Sequence, residues 1–336
     1  EKVIGYIKKN PSSSSKEIHD GSGVSSSYAT LKRVLQALIA ENLVIAKGKG
    51  KGTKYEIDPA YNLIRPVDPD RYFEQEIDER EIQKNFNQSL IRETLSRCRL
   101  FTIEELVRLD HLQAQYKHNS QQLTPAEFNK ELERLAIDLS WKSSQIEGNT
   151  YSLLETELLL KEQQTAKGKT KDEATMLLNH KAALDFIITH SDYNEPLTIH
   201  ALEDIHRMLT ESLPIGRNIR TRRVGISGTN YQPPDNEFQI REALEDMCGV
   251  LNNTKNVFTK SLLALVLISY IQPFMDGNKR TARIISNAIL INHHYCPVSF
   301  RTVDSIEYKK AMLIFYEQNN ISPFKKIFIE QFEFAV

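Results

Sequence analysis

The chain has 336 residues, with 43 Lys/Arg against 44 Asp/Glu and a formal net charge of −1. That balance excludes a bulk polyanion-binding surface, and the length leaves room for two domains with ordinary cores. Three scattered cysteines (Cys98, Cys248, Cys296) lack metal-ligand or disulfide spacing, and no secretory signal or membrane span is visible, so a reducing, cytoplasmic setting is expected.

The chain starts at Glu1 rather than at a methionine, so a few native residues are expected to precede it. Residues 1–57 hold ten Lys/Arg and five Asp/Glu, a local balance of +5 that leaves −6 on the remainder. Residues 2–9 predict a short helix with Val3, Ile4 and Ile7 on one face, and the Pro-Ser run at 11–15 caps a second helix around 16–19. Over residues 25–41, Tyr28, Leu31, Val34, Leu35, Leu38 and Ile39 recur at a helical period. Two strands, 43–46 and 53–57, flank the Lys/Gly run at 47–52. Three helices and a hairpin with a basic tip resemble a winged helix-turn-helix domain. The resemblance implies a third helix in the DNA major groove and a wing on the phosphates. Ser26, Ser27, Thr30, Lys32 and Arg33 would then reach DNA, while Lys47, Lys49, Lys51 and Lys54 add sequence-independent attraction. Winged helices also serve protein docking or dimerisation, so a homodimer stays open beside DNA.

Residues 58–100 are expected to be a connector. Prolines at 59, 66 and 69 mark a linker, and residues 71–99, with Phe73, Ile77, Ile82, Phe86, Leu90, Ile91 and Leu95, predict a helical arm. Residues 101–336 read as one further domain. Within it, an amphipathic helix over about 130–149 carries Leu132, Leu135, Ile137, Leu139 and Trp141 and stops at Gly148-Asn149. Glu147 falls in its last turn, where the helix dipole disfavours a carboxylate, which argues for a cationic partner. Residues 220–226 and 229–231 flank Ser227-Gly228 and predict a β-hairpin closed by Pro233-Pro234. His206, His293 and His294 read as ordinary surface or half-buried residues.

From Ser261 to Ile271 the chain is apolar and uncharged. It is far short of the roughly 20 residues a membrane span needs, so it predicts a core helix. Pro273 ends that helix, Asp276-Gly277-Asn278 is turn chemistry, and a second helix starts near Asn278 with Ala282, Ile284, Ile285, Ala288, Ile289 and Leu290. Lys279, Arg280 and Arg283 lie beside the free amides of its first turn, which makes an anion site. Asp276 is a hard oxygen ligand suited to a Mg²⁺ that bridges phosphates.

Residues 272–283, Gln-Pro-Phe-Met-Asp-Gly-Asn-Lys-Arg-Thr-Ala-Arg, resemble the Fic (Fido) signature, His-Pro-Phe-x-(Asp/Glu)-Gly-Asn-(Gly/Lys)-Arg-x-x-Arg, with Gln272 in place of the general-base histidine. Ser143 to Asn149 is similar to that family's inhibitory motif, the 220–234 segment to its target-docking flap, and Tyr308, Ala311, Met312, Ile314 and Phe315 to its last core helix. The resemblance covers about residues 100–336. It implies a mainly α fold: a Fic-type helical core with a small β-hairpin flap, behind an N-terminal winged helix.

It further implies Mg²⁺ and ATP as cofactor and substrate, with AMP passing to a Ser, Thr or Tyr hydroxyl of a protein target. Carried over, Asp276 holds Mg²⁺; Gly277, Asn278 and Lys279 hold the α-phosphate; Arg280 holds the outer phosphates; and Phe274 anchors the loop. Arg283 takes the γ-phosphate or, in the inhibited state, Glu147, with Ser143, Gly148 and Asn149 completing the inhibitory motif. Val224, Gly225, Ile226, Ser227, Gly228 and Tyr231 would register the target backbone by strand addition. An amide at 272 is no useful base near neutral pH, and losing a positioned base costs on the order of 10²–10⁴-fold in rate. Three readings stay open: an autoinhibited adenylyltransferase impaired at Gln272, a nucleotide-binding pseudoenzyme that regulates DNA through its winged helix, and removal of AMP from a target with Glu147 orienting water.

Overall fold

A computed structural model describes residues 2–41 and 43–336, the side chain of Lys51 lying outside the described residues. The N-terminal body begins with α1 (Lys2–Lys9), β1 (Ser13–Ser14) and α2 (Ser15–Gly21). Ser14 caps α2 in a capping box: its Oγ accepts from the Glu17 amide, and the Glu17 carboxylate accepts from the Ser14 amide at 2.6 Å. Then come α3 (Tyr28–Ala40), β2 (Val44–Lys47) and β3 (Lys54–Ile57). The strands form one antiparallel sheet in the order β1-β3-β2, with Ala46 opposite Tyr55. Val3, Ile7, Ile18, Leu31, Leu35 and Val44 make a small core of their own, separate from the main one. The strand β1 was not expected, because two serines carry no strand signal of their own.

The connector opens with two short helices, α4 (Pro59–Ile64) and α5 (Pro69–Tyr72), each with proline in its first turn and an aspartate N-cap. The helical arm expected over residues 71–99 is absent. Residues 73–87 are turns and extended chain, and only residues 88–95 are helical, with Leu90–Leu95 as a π-type turn. Tertiary bonds outweigh helix propensity here. The Gln83 amide donates to the Glu317 carbonyl, the Asn87 amide to the Tyr270 hydroxyl, and Asn87 Nδ2 to Asn319. A helix would have turned these groups back on themselves.

The main domain follows: α6 (Ile103–Gln121), α7 (Pro125–Ile146), α8 (Leu153–Glu162), α9 (Lys171–Thr189), α10 (Ile199–Leu209), α11 (Glu237–Asn253), α12 (Val257–Ile271), α13 (Asn278–Asn292), α14 (Ser305–Gln318) and α15 (Ser322–Ala335). α12 is its axis, apolar on every side because α11, α13 and α14 surround it. Each buried leucine or isoleucine there contributes about 1.5–3 kcal/mol of transfer free energy before chain entropy is charged. α13 folds back against α12, and α7, α9 and α10 cover the other side of α13. No helix among the described residues is long and apolar enough to cross a membrane.

The hairpin expected at 220–231 is also corrected. Residues 223–226 and 229–230 carry no strand pairing, and no backbone bond joins the two arms across the Ser227-Gly228 turn. A single bridge, Asn85 to Gln232, ties the exit of the segment to the connector. Gly225 and Gly228 lower the strand propensity of a piece too short to pair alone.

Candidate functional site

The turn between α12 and α13 builds the site. Gln272 closes α12 in the left-handed region (φ 51°), and Gly277 precedes α13 at φ 82°. A Cβ on Gly277 would stand 3.3 Å from His206 Nε2, so both its dihedral and its surroundings demand glycine. Having no side chain, Gly277 cannot cap α13, and the first-turn amides keep no side-chain acceptor. Asn278 braces the loop: its Oδ1 accepts from the Phe274 amide at 2.8 Å, and its Nδ2 donates to the Phe274 carbonyl and to Gln272 Oε1, both at 2.9 Å.

Beneath the loop lies His206, read from sequence as an ordinary residue away from the site. It is fully buried on α10, stacked face to face on Phe274 with ring centres 3.6 Å apart. Its Nε2 lies 2.9 Å from the Asp276 carbonyl, while Nδ1 is 3.4 Å from that of Arg217. Burial drops the imidazole to about 4, so near neutrality it carries one N–H, which the shorter contact places on Nε2. His206 therefore supports the loop from below. No histidine is among the described residues that line the cavity above it.

That cavity encloses about 400 Å³. Its walls are Gln272, the loop from Met275 to Lys279, the C-terminus of α7 (Ile146, Glu147, Gly148), the 225–227 segment, and Lys309, Met312, Leu313 and Tyr316 of α14. The α14 wall was missed in the sequence; its signal, residues 309, 312, 313 and 316 on one helical face, cannot be told from ordinary core packing. Asp276 stands at the mouth with its side chain 67% exposed, and its Oδ2 is 3.6 Å from Arg280 Nη2.

Glu147 reaches across this cavity. Its Oε1 accepts from Arg283 Nη2 at 2.8 Å, and its Oε2 accepts from Lys279 Nζ at 3.2 Å. Burial would raise its pKa, but Arg283 and Lys279 outweigh that and hold it below the ordinary carboxylate value. Arg283 is wholly buried; it also donates from Nε to Ser143 Oγ at 2.8 Å and from Nη2 to the Ser143 carbonyl at 3.0 Å, and it lies over the Tyr308 ring. Arg280, also buried, has no partner for Nε or Nη1, and Arg283 has none for Nη1. Two buried guanidinium groups with spare N–H donors beside an uncapped helix start suit a polyphosphate, and one exposed carboxylate suits a Mg²⁺ held mainly by phosphates and water. The described residues contain no group of three or more His, Cys, Asp or Glu side chains that could hold a metal ion by themselves.

The Gln272 amide does not face the cavity as a free group. Its Nε2 donates to the Ser269 carbonyl at 2.6 Å while its Oε1 accepts from Asn278. Arg220, not singled out from sequence, is buried and donates to three carbonyls: Gln272 (2.6 Å), Arg222 (2.8 Å) and Pro234 (2.7 Å). It fastens the base of the 220–234 segment to the loop. Val224, Gly225, Ile226, Ser227 and Gly228 lie along that segment as expected. Tyr231 is mostly buried: it stacks on Tyr270 and Tyr316 and donates to the Tyr270 carbonyl, while lining the groove beside the flap. Asn149 is turned away, bonded to Glu173 and Tyr151.

In the N-terminal body, Lys32 and Arg33 of α3 are exposed, as is Lys49. Ser27 and Thr30 are spent on capping α3, since Ser27 Oγ accepts from the Thr30 amide and lies 3.0 Å from its hydroxyl. Lys47 pairs with Glu56 at 2.6 Å and Lys54 with Glu17 at 3.2 Å, which reduces the positive field of the wing. Ser26 accepts from or faces His19 through its carbonyl, at 3.0 Å. The side chain of Lys51 lies outside the described residues.

Residues 196–290 match the profile of the Fic/DOC family. The chain is 30% identical over 176 residues to the protein adenylyltransferase fic-1 of Caenorhabditis elegans, an overlap of 50% of this chain and 34% of that protein. It is 30% identical over 173 residues to the protein adenylyltransferase Fic of Nematostella vectensis, covering 50% and 40%. The overlap thus spans only about a third to two fifths of these curated relatives. In fold, the chain resembles Fic-1 (residues 134–508) of C. elegans with a TM-score of 0.58 at 22% identity, covering 69% of each chain. It also resembles a Fic domain-containing signalling protein of Bacteroides thetaiotaomicron with a TM-score of 0.58 at 19% identity, covering 68% of this chain and 93% of that one. With the helical fold and the 272–283 loop in place, residues 196–290 of the main domain carry the Fic/DOC match, and the chain shares the fold of Fic proteins.

Proposed function

We propose that the chain binds Mg·ATP on the α12–α13 turn in a Fic-type AMP-transferring site that Glu147 holds closed and that lacks its general base at position 272. The Glu147 bridge to Arg283 and Lys279 is the observation that carries this reading. In the open site the backbone amides of Gly277, Asn278 and Lys279 bind the α-phosphate, Arg280 and Arg283 bind the outer phosphates, and Asp276 orients the metal. Mg²⁺ would neutralise charge on the departing pyrophosphate. A target hydroxyl oxygen then bonds to the α-phosphorus, the bond to the bridging oxygen breaks, and pyrophosphate leaves. The hydroxyl proton needs an acceptor at 272, where a neutral amide supplies none.

Calorimetric titration tests the nucleotide reading. Mg·ATP binds Glu147→Gly more tightly than the parent chain, and Arg280→Ala added to that variant abolishes the gain. Equal affinity for parent and Glu147→Gly overturns the inhibitory assignment.

A specific contact favours a second reading, in which the chain is a nucleotide-binding pseudoenzyme. Both ends of the Gln272 amide are satisfied inside the loop, so the residue acts as a brace rather than as an idle relic of chemistry. Output would then pass through the N-terminal body acting as a winged helix, with Lys32, Arg33 and Lys49 as exposed cations toward DNA. Replacing these three with alanine weakens duplex binding at low salt and flattens its salt dependence. A variant that shifts duplex as the parent does leaves protein docking in its place. AMP removal is less well supported, because both Glu147 oxygens are engaged by cations rather than placed to orient water.

A further inference from the structure

The 220–231 segment has no internal ladder, so its shape must be set by what holds it from outside. Its base is fastened by Arg220 and its exit by the Gln232 amide, which donates to the Lys84 carbonyl at 2.7 Å. Between them the tip, Gly228, has φ 86°, and its carbonyl accepts from Arg80 Nη2 at 3.0 Å. The same guanidinium donates from Nη1 to both Glu317 oxygens at 3.1 and 3.3 Å. Both side chains are secluded, Arg80 at 5% and Glu317 at 0% exposure, and Tyr72 donates its hydroxyl to Glu317 at 2.6 Å. Arg80 therefore forks between a buried carboxylate on α14 and the flap tip.

We infer that Arg80 is a positioning residue for the flap, so that the connector, residues 72–85, is a working part of the acceptor surface. The inference rests on the proposed role of the flap in docking a target. It adds that this surface is completed by residues far outside the family-matched stretch 196–290. A groove of about 400 Å³ runs where the two meet, lined by Lys84 on the connector side and by Val224, Gly225, Ile226 and Thr229 on the flap side. It shares Gly225 and Ile226 with the cavity above the loop. A polypeptide lying in this groove would pass beside the site of transfer, and Arg80 fixes the width of its path. The planar guanidinium can hold two acceptors in one plane, which a lysine ammonium cannot reproduce.

Trypsin and hydrogen exchange read this out directly, because Arg222 and Arg223 are exposed beside the flap. Arg80→Lys keeps a charge for Glu317 but loses the fork, and Arg80→Met/Glu317→Gln removes the buried pair altogether. In both, cleavage at Arg222 and Arg223 rises roughly tenfold, while hydrogen exchange shows that the core stays protected and cooperative. Mg·ATP affinity of either variant stays within about twofold of the parent, since Arg80 does not line the nucleotide cavity. Lys310→Ala cuts the Lys310–Asp70 pair, another tie between connector and α14, and leaves the flap at the parental rate. Parental cleavage in the folded Arg80 variants overturns the inference, and so does equal loosening by Lys310→Ala. Should the double variant not fold, Arg80→Lys alone decides. Failure of the parent and Glu147→Gly to bind Mg·ATP would sink the nucleotide reading while leaving the flap result intact.

Discussion

Glu147→Gly combined with Gln272→His gains AMP when incubated with Mg·ATP, by intact mass, and Glu147→Gly alone does not over the same interval. The expected ratio of rates is on the order of 10²–10⁴, the usual contribution of a positioned base. The geometry supports a simple restoration. Gln272 sits in the left-handed C-cap of α12, its backbone fixed by the bond from its amide to Ile268 and by Arg220 on its carbonyl. The new side chain therefore starts from the same place, and an imidazole reaches about as far as the glutamine amide it replaces. His206 cannot stand in for it, being buried under the loop, stacked on Phe274 and turned to the Asp276 carbonyl. Were the double variant to bind Mg·ATP and still gain no AMP on itself or on added lysate protein, Gln272 would not be the sole defect, and the pseudoenzyme reading would lead.

The two cations that bind Glu147 are also groups assigned to phosphates. A carboxylate at a helix C-terminus is disfavoured by the dipole, and Glu147 is tolerated there because Arg283 and Lys279 surround it. In the proposed site, closure and nucleotide binding therefore draw on the same donors. Any ligand that satisfies Arg283 with its own oxygens competes with α7, and its apparent affinity is lowered by the closed population.

The α12–turn–α13 unit was legible in the sequence because its signals are local: an uncharged apolar run, a proline and an Asp-Gly-Asn turn. The pairing of Glu147 with Arg283, 136 residues apart, was anticipated through the family resemblance together with an oddly placed carboxylate. Residues 73–87 were misread since their charges and apolar spacing are good helix material, while the bonds that hold them extended come from α14 and Tyr270. Nothing local marks His206 or Arg220 as loop supports, for a lone histidine on a helix or an arginine among arginines gains that role only when the fold buries it. Tyr231 shows the same limit. An aromatic in a glycine-rich loop reads as a contact residue, yet a stack of tyrosines claims it for the core.

Glu147→Gly lowers the stability of the fold by about 3 kcal/mol, near the lower end of what breaking a buried ion pair costs. The loss arises from Arg283, which remains wholly buried without a counter-charge. It is moderated by the two Ser143 acceptors and the Tyr308 ring, which stay in contact. Arg283→Met added to Glu147→Gly should recover most of the loss, because the stranded charge is then gone; simple additivity of the two losses would refute the pairing. Saturating Mg·ATP also stabilises Glu147→Gly more than the parent, by mass action on the opened site. The pH dependence has a definite sign. A carboxylate held below its ordinary pKa contributes its full share above about 4.5 and loses it as pH falls through the lower, folded-state value. The stability gap between parent and Glu147→Gly should therefore be level from pH 8 to about 5 and close only in stronger acid. A gap that closed between pH 6 and 7 would place the effect on a histidine instead of on Glu147.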